Sequence, residues 1–207
     1  MTPHELSREI IKRAGDSARF IVAIAGPPGA GKSTLAESLL AELDAAMPGN
    51  AALMPMDGFH FDNAVIEPLG LLPRKGAPQT FDTRGYLAAL ARIRAGDTNV
   101  AVPVFDRAMD LARAGATIIA KEQRIVLVEG NYLLLDEAPW REGAALFDLT
   151  VFLRVPQAVL EERLVRRWLD HGLAPDAARK RALSNDIPNA LTVLAKSLPA
   201  DITIENG

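Results

Sequence analysis

The chain has 207 residues and a formal net charge of −3, with 49% apolar and 24% charged residues, the make-up of a globular protein with enough chain for a well-filled core. Mild acidity gives no electrostatic case for holding a nucleic-acid backbone. The absence of cysteine removes disulfides and thiolate metal sites, and three scattered histidines, His4, His60 and His171, suit a zinc centre poorly. With no charged-then-apolar leader, and no apolar run reaching the ~20 residues of a membrane helix, a cytoplasmic protein without membrane or nucleic-acid partners is expected, as a monomer or homodimer.

Leu6, Ile10 and Ile11 space a short amphipathic helix that closes near Gly15. RFIVAIAG (19–26) is a β-branched apolar run ended by glycine, as in a buried parallel strand. KSTLAESLLAELDAAM (32–47) has helical spacing, with Leu35, Leu39, Leu40 and Leu43 on one side. AALMPM (51–56) reads as a strand whose Pro55 marks an edge position or the last residue. A Pro-, Gly- and charge-rich segment from Asp57 to Thr80 has the character of a long functional loop. A helix follows from Thr83 to about Ala95, with Asp82 in its N-cap region. VAVPVFD (100–106), RIVLVEG (124–130) and DLTVFLRV (148–155) read as further strands, the first two separated by a short excursion. PQAVLEERLVRRWLDHG (156–172) is a helix with Pro at its start and Gly after its end, and DITIE (201–205) closes the series. Strands alternating with helices predict one three-layer α/β domain over residues 1–207 with a mainly parallel sheet.

Gly26 to Ser33, GPPGAGKS, matches G-x-x-x-x-G-K-[ST] between an apolar strand and an apolar-periodic helix. The loop Gly26, Pro27, Pro28, Gly29, Ala30, Gly31 can wrap backbone N–H groups around phosphate oxygens, because Gly29 and Gly31 keep side chains out of the way. The helix start adds the positive end of its dipole. Lys32 reaches the β/γ-phosphates, Ser33 holds Mg²⁺, and Thr34, the next residue, is counted with them in the nucleotide site. Nucleoside triphosphate binding follows, while the reaction stays open.

In parallel α/β sheets ligands bind beyond the carboxyl ends of the strands. Asp57 and Glu129 stand at two such ends, where a phosphoryl-transfer site needs one carboxylate to accept the acceptor's proton and another to hold Mg²⁺, hold its waters or position substrate. The bare alternatives are an Asp-Gly turn at Asp57 and a surface acid at Glu129. In MDGFHFD (56–62) Gly58 is read as letting the chain bend away, with Phe59 and Phe61 as pocket wall or loop anchor.

GPPGAGKST, MDGFHFD, RKGAPQTFD (74–82), VPVFDR (102–107), LVEGNYLLLD (127–136) and RLVRRWLDHG (163–172) resemble, in that order, the motifs of the uridine kinase, phosphoribulokinase and bacterial pantothenate kinase superfamily. The similarity extends over about residues 20–190 and is greatest to short bacterial chains labelled fructose-transport-system kinases. It implies a P-loop kinase with a five-stranded parallel core sheet and a mobile helical lid near residues 160–190, using ATP and Mg²⁺. It also implies that Asp57 lies beside the acceptor hydroxyl, Glu129 near Mg²⁺ and substrate, and Arg163, Arg166 and Arg167 at the start of the lid, over the phosphates.

Read by themselves, the lid arginines form either a solvated face, with Glu162 and Arg166 as an i,i+4 pair, or an anion site. Arg163 and Arg167 are like charges at repelling spacing unless an anion lies between them. Arg74 and Lys75 either bind an anionic substrate or decorate a turn. Asp106 and Arg107, after a strand, line the acceptor pocket or merely end it, and His60 is either a packing residue or a substrate contact. Asn185, Asp186 and Asn189 belong to the lid, its hinge or helix caps.

The expected activity is ATP-dependent phosphorylation of a hydroxyl on a small metabolite such as fructose. The alternatives are a nucleoside or pantothenate kinase of the same superfamily, and a regulatory P-loop switch. Against the switch, no Asn-Lys-x-Asp guanine motif occurs, and the one Asp-x-x-Gly, Asp82 to Gly85, opens a helix.

Overall fold

The computed structural model describes residues 1–207. Helix α1 (Pro3–Ala14) begins on a capping box: the Thr2 hydroxyl accepts from the Glu5 N–H, and the Glu5 carboxylate takes the Thr2 N–H. Then come β1 (Phe20–Ala25), α2 (Lys32–Ala46) and β2 (Ala51–Pro55). A 3₁₀ turn at Met56–Phe59 leads to α3 (Asn63–Ile66) and to α4 (Thr83–Ala95), whose N-cap Asp82 accepts from the Gly85 N–H. The chain continues through β3 (Val100–Asp106), β4 (Leu111–Ile119), β5 (Ile125–Gly130) and β6 (Leu149–Arg154). It ends with α5 (Gln157–Asp170), α6 (Pro175–Arg181), α7 (Ile187–Lys196) and β7 (Ile202–Glu205). No helix is long and apolar enough to cross a membrane.

Five strands form a parallel sheet in the order β2-β5-β1-β6-β7, as the α/β reading requires. The two-residue period of β1 explains why its run is apolar throughout. Ile21, Ala23 and Ala25 face a core shared with Tyr86 and Leu90 of α4, while Phe20, Val22 and Ile24 face the opposite core, shared with α1, α2 and α5. On α2, Leu39 and Leu43 are fully buried and Leu35 and Leu40 partly so. β2 is an edge strand and Pro55 its last residue, so the missing N–H disturbs no ladder.

One expected strand lies elsewhere. Val100–Asp106 stands outside the parallel sheet and pairs antiparallel with Leu111–Ile119, the stretch read as a short excursion. Four residues connect the two, enough for a hairpin and far too few for a parallel crossover. The pattern of β4 hides it, because LARAGATII contains a glycine at φ +62 and leaves much of the strand exposed. Val100, Val102 and Ile119 nevertheless join the core beneath the hairpin.

The hairpin sits tightly on the Met56–Phe59 turn. Gly58 has no positive φ, so it is not there to bend the chain; a Cβ at this position would lie 2.2 Å from the Pro103 carbonyl oxygen. Phe59 anchors the turn in the core, edge-to-face with Tyr86 at 5.5 Å. Gly58→Ala should therefore push two backbones apart. The expected cost is about 1–3 kcal/mol, or roughly 2–4 °C in Tm per kcal/mol for a chain of this size. A thermal melt checks this, and an unchanged Tm would mean that the hairpin has room to yield.

Candidate active site

The carboxyl ends of β1, β2 and β5 converge because the register pairs Ala25 with Gly130 and Pro55 with Glu129. The strand order reverses at β1, the place where doubly wound sheets open a crevice. From Ala25 the chain enters the glycine loop, with Gly29 at φ 81 and Gly31 at φ 87, a conformation that side chains disfavour. Helix α2 then starts with no side-chain cap and no acid in its first turn. Its opening residues are Lys-Ser-Thr, so the free N–H groups and positive dipole end are left for an external anion.

Lys32 is only 7% exposed. Its ammonium donates to the Pro27 carbonyl at 2.9 Å and to Asn131 Oδ1 at 2.7 Å, which leaves one of its three donors without a protein acceptor. Burial pushes its pKa down to about 8, against the pull of Glu129 and Asp57. Glu129 is 6% exposed, and burial raises its carboxyl pKa, with Lys32 opposing. Ser33 Oγ lies 3.4 Å from Glu129 Oε2.

A triphosphate with Mg²⁺ fits this donor set. The uncapped helix start and the desolvated ammonium suit the phosphates. The Ser33 hydroxyl and Glu129 carboxylate suit a cation that keeps waters and phosphate oxygens in its shell.

Two clefts meet at this point. One, of about 400 Å³, is lined by the glycine loop, Lys32, Ser33, Thr34 and Glu129. The other, of about 440 Å³, is walled by His60, Lys75, Phe81, Phe105, Trp168 and Asp186. Asp57, Arg107, Asn131 and Arg167 line both. Asp57 stands on the 3₁₀ turn beyond β2 and accepts from Arg107 Nη2, at the hairpin tip, at 3.0 Å. The Arg167 guanidinium makes no ion pair, and burial and the neighbouring Arg107 lower its pKa.

Other residues singled out in the sequence point elsewhere. Arg74 donates to the Ser184 carbonyl and Asn189 Oδ1, both at 3.0 Å, so it ties the long loop to the helices after α6 and stays off both cleft walls. Lys75 does line the second cleft, but its ammonium is held by Asn63 Oδ1 at 2.7 Å and Asp110 Oδ1 at 3.0 Å. Asp106 closes the hairpin turn, accepting from the Ala108 and Met109 N–H groups, and faces neither cleft. Arg163 and Arg166 line a groove along α5 that Arg167 and His171 share, and there Arg166 lies 3.7 Å from Asp170; of the three arginines only Arg167, one turn on from Arg163, also lines the two clefts. Phe61 is absent from the cleft wall, which Phe81 and Phe105 supply.

The sequence reading did not single out Asn131, Asp110, Trp168 or Arg181. Asn131 carries a signal, as a polar side chain just past the carboxyl end of β5. The others come together only through tertiary packing: the Trp168 indole N–H donates to Asp186, and the Arg181 guanidinium lies 5.3 Å from the Trp168 ring.

No family model matches the chain. The structure superposes with a TM-score of 0.92 on a protein of Silicibacter sp. TM1040, provisionally named a fructose transport system kinase, at 48% identity and with 99% of both chains covered. An uncharacterised protein of Escherichia coli K12, YggC, is 36% identical over 189 residues, covering 90% of this chain and 78% of its own. An ATP-dependent kinase-like protein of Aspergillus versicolor, notR′, is 34% identical over 154 residues, covering 70% and 90% respectively. Bacterial pantothenate kinases also match, and the chain spans about half their length, 49% for that of Nitrobacter hamburgensis. The chain belongs to the P-loop kinases of the uridine kinase, phosphoribulokinase and bacterial pantothenate kinase superfamily, together with the short Silicibacter protein.

Proposed function

We propose that the protein transfers the γ-phosphoryl group of ATP to a hydroxyl of a small uncharged polyol, with a sugar such as fructose as the first candidate. One observation carries the reading: the phosphate cleft and the second cleft share the wall made by Pro28, Asp57, Arg107, Asn131, Arg167 and His171. An acceptor in the second cleft is thereby brought alongside the phosphates, and positioning supplies much of the rate in phosphoryl transfer.

Charge matching favours an uncharged acceptor. Lys75, Arg107, Arg167 and Arg181 line the second cleft together with Asp57, Asp110 and Asp186. Lys75 is paired with Asp110 and Arg107 with Asp57, while Arg181 lies near Asp186 and donates to the Pro73 carbonyl at 2.9 Å. The excess cation, Arg167, also faces the phosphate cleft. A carboxylate such as that of pantothenate would find no free partner on the acceptor side, whereas the Phe81, Phe105 and Trp168 rings suit a sugar face. The name given to the Silicibacter relative agrees with this choice.

ATP with Mg²⁺ supplies the phosphoryl group and neutralises part of its charge when bound. Lys32 and the first turn of α2 hold the phosphates, and Ser33 and Glu129 hold the metal or its waters. Asp57 orients the acceptor hydroxyl and takes its proton, while Arg107 keeps the carboxylate in place. Arg167 stabilises charge on the moving phosphoryl group. Residues from about 160 to 190 act as the lid, docked on the long loop through Arg74 and Arg181. The enzyme works in the cytoplasm.

Asp57→Asn should leave nucleotide affinity nearly intact and cut transfer by ~10²-fold or more. The assay is coupled ADP release with ketohexoses, pentoses, nucleosides and pantothenate. A kinase is stimulated by an acceptor and a regulatory switch by none, and full turnover of the variant would remove Asp57 from the chemistry.

The depressed pKa of Lys32 has a further consequence. Bound phosphate stabilises the ammonium and raises its pKa, so binding takes up a proton once the free protein has lost it. Nucleotide affinity should be flat below pH 8 and weaken above it, by at most ~10-fold per pH unit. Calorimetric titrations with MgATP from pH 7 to 10 measure this. Lys32→Arg, which keeps its charge, should bind more weakly but without the decline, and an equal decline in that variant would assign the effect to another group.

A further inference from the structure

We propose that His60 reads the acceptor: its imidazole carries the proton on Nδ1 and presents a bare Nε2 to the second cleft, where, with the Asp57 carboxylate, it selects a substrate bearing two neighbouring hydroxyl groups. This rests on the kinase reading above and specifies which acceptors that site takes.

The tautomer follows from geometry. His60 Nδ1 lies 2.7 Å from the backbone carbonyl oxygen of Asp57. A carbonyl only accepts, so Nδ1 must be the donor. The same oxygen takes the His60 backbone N–H at 3.2 Å, which locks ring and turn together. The ring lies between Phe81 and Phe105, with centroids 4.0 and 4.7 Å away. Rotating it would break the Nδ1 bond.

Nε2 has no protein partner and is not among the sealed, unsatisfied polar atoms, while His60 lines the cleft. Nε2 is thus solvent-accessible and unbonded on a residue that lines the cleft, and its lone pair is available to an acceptor there. Asp57 on the turn, Lys75 on the long loop, and Arg107 and Asp110 at the hairpin tip are the charged groups around the ring, and burial lowers its pKa, which favours the neutral form.

A neutral imidazole nitrogen without its proton can only accept. Its neighbour on the same turn, the Asp57 carboxylate, also only accepts. A phosphate or carboxylate on the substrate would meet lone pair with lone pair. Two adjacent hydroxyls satisfy both groups, one donating to Asp57 as it is phosphorylated and the other to His60. Leaving Nε2 unpaired beneath a bound acceptor is costly, which is how a hydrogen-bonding site rejects a deoxy analogue.

Two experiments test this. Long-range ¹H–¹⁵N spectra of the histidine-labelled protein contain three imidazoles, and His60→Gln identifies the one that matters. From pH 6.5 to 8 it should show Nδ1 protonated and Nε2 bare; a proton on Nε2 overturns the proposal whether or not any acceptor is turned over.

The second uses D-fructose, D-ribose and uridine as acceptor probes, each beside analogues lacking one hydroxyl. For a probe that is phosphorylated, losing the hydroxyl next to the reacting one should lower kcat/KM by ~10-fold or more in the wild type and by less than ~2-fold in His60→Phe. His60→Gln, which keeps a carbonyl acceptor, should restore part of the discrimination. If His60 only braced the turn, both variants would be slower on every probe with discrimination intact, and that result overturns the inference while leaving the kinase reading standing. Phosphorylation of pantothenate with none of the neutral probes would overturn the inference and the choice of an uncharged acceptor, and would leave the phosphoryl-transfer reading standing.

Discussion

Burying the Lys32 ammonium is the constraint around which the site is arranged. A cation almost removed from water is expensive unless its hydrogen bonds are met and opposite charge lies close. Here the Pro27 carbonyl, Asn131 and the nearby Glu129 meet part of the demand, and two of these three stand on or just beyond β5. Their position depends on register. Glu129 has the parity of Ile125 and Leu127, which pack on the α2 side of the sheet, and a slip of one residue would turn it to the face of Val126 and Val128. The apolar runs of β1 and β5 therefore fix a carboxylate as well as a core. The remaining demand on Lys32, one free donor and a depressed pKa, is a demand for an anion.

What could be read from the residues beforehand divides by the range of the signal. The glycine loop, the buried strand before it and the helix after it, the Asp82 cap and the end position of Pro55 are local, since each depends on neighbours within a few residues. Asp57 and Glu129 were also legible, because a strand end in a parallel sheet already says where a side chain stands. The hairpin of β3 and β4 was not, since β4 is weakly patterned and its pairing is decided by the turn at 107–110 and by the core beneath it. Side-chain direction was the other failure. Arg74 and Lys75 are adjacent in sequence, yet one ties two segments together and the other lines the cleft, a difference set by the chain path through the 3₁₀ turn at Leu72–Arg74.

The arginine helix illustrates the same point with a geometric reason. Arg163 and Arg167 share a face of α5, but the helix rises 1.5 Å per residue, so they stand about 6 Å apart along its axis. The one nearer the carboxyl end of α5 meets the cleft junction, while the other lies along a groove with Arg166. Spacing leaves that face open between a solvated surface and an anion site, and says nothing of where along it an anion would lie. The same stretch of helix carries Trp168, whose indole N–H engages Asp186 next to α7, so the segment that supplies Arg167 is also tied to the other side of the proposed lid. Movement of α5 relative to α7 would alter the cation and the cleft wall together.

The turn at Met56–Phe59 concentrates functions that a longer loop would separate. Gly58 admits the hairpin backbone, and the hairpin brings Arg107 to Asp57; Phe59 anchors the turn in the core; His60 is bonded to the carbonyl of Asp57, the residue that lines both clefts. In the proposed roles, acceptor recognition and proton removal are mechanically one unit. A substrate that fails to engage His60 is also misaligned at Asp57, and in a reaction that depends chiefly on positioning this loss falls on the chemical step as well as on binding. Such a rigid turn achieves selectivity through rate, and needs no separate, tighter pocket for the rest of the acceptor.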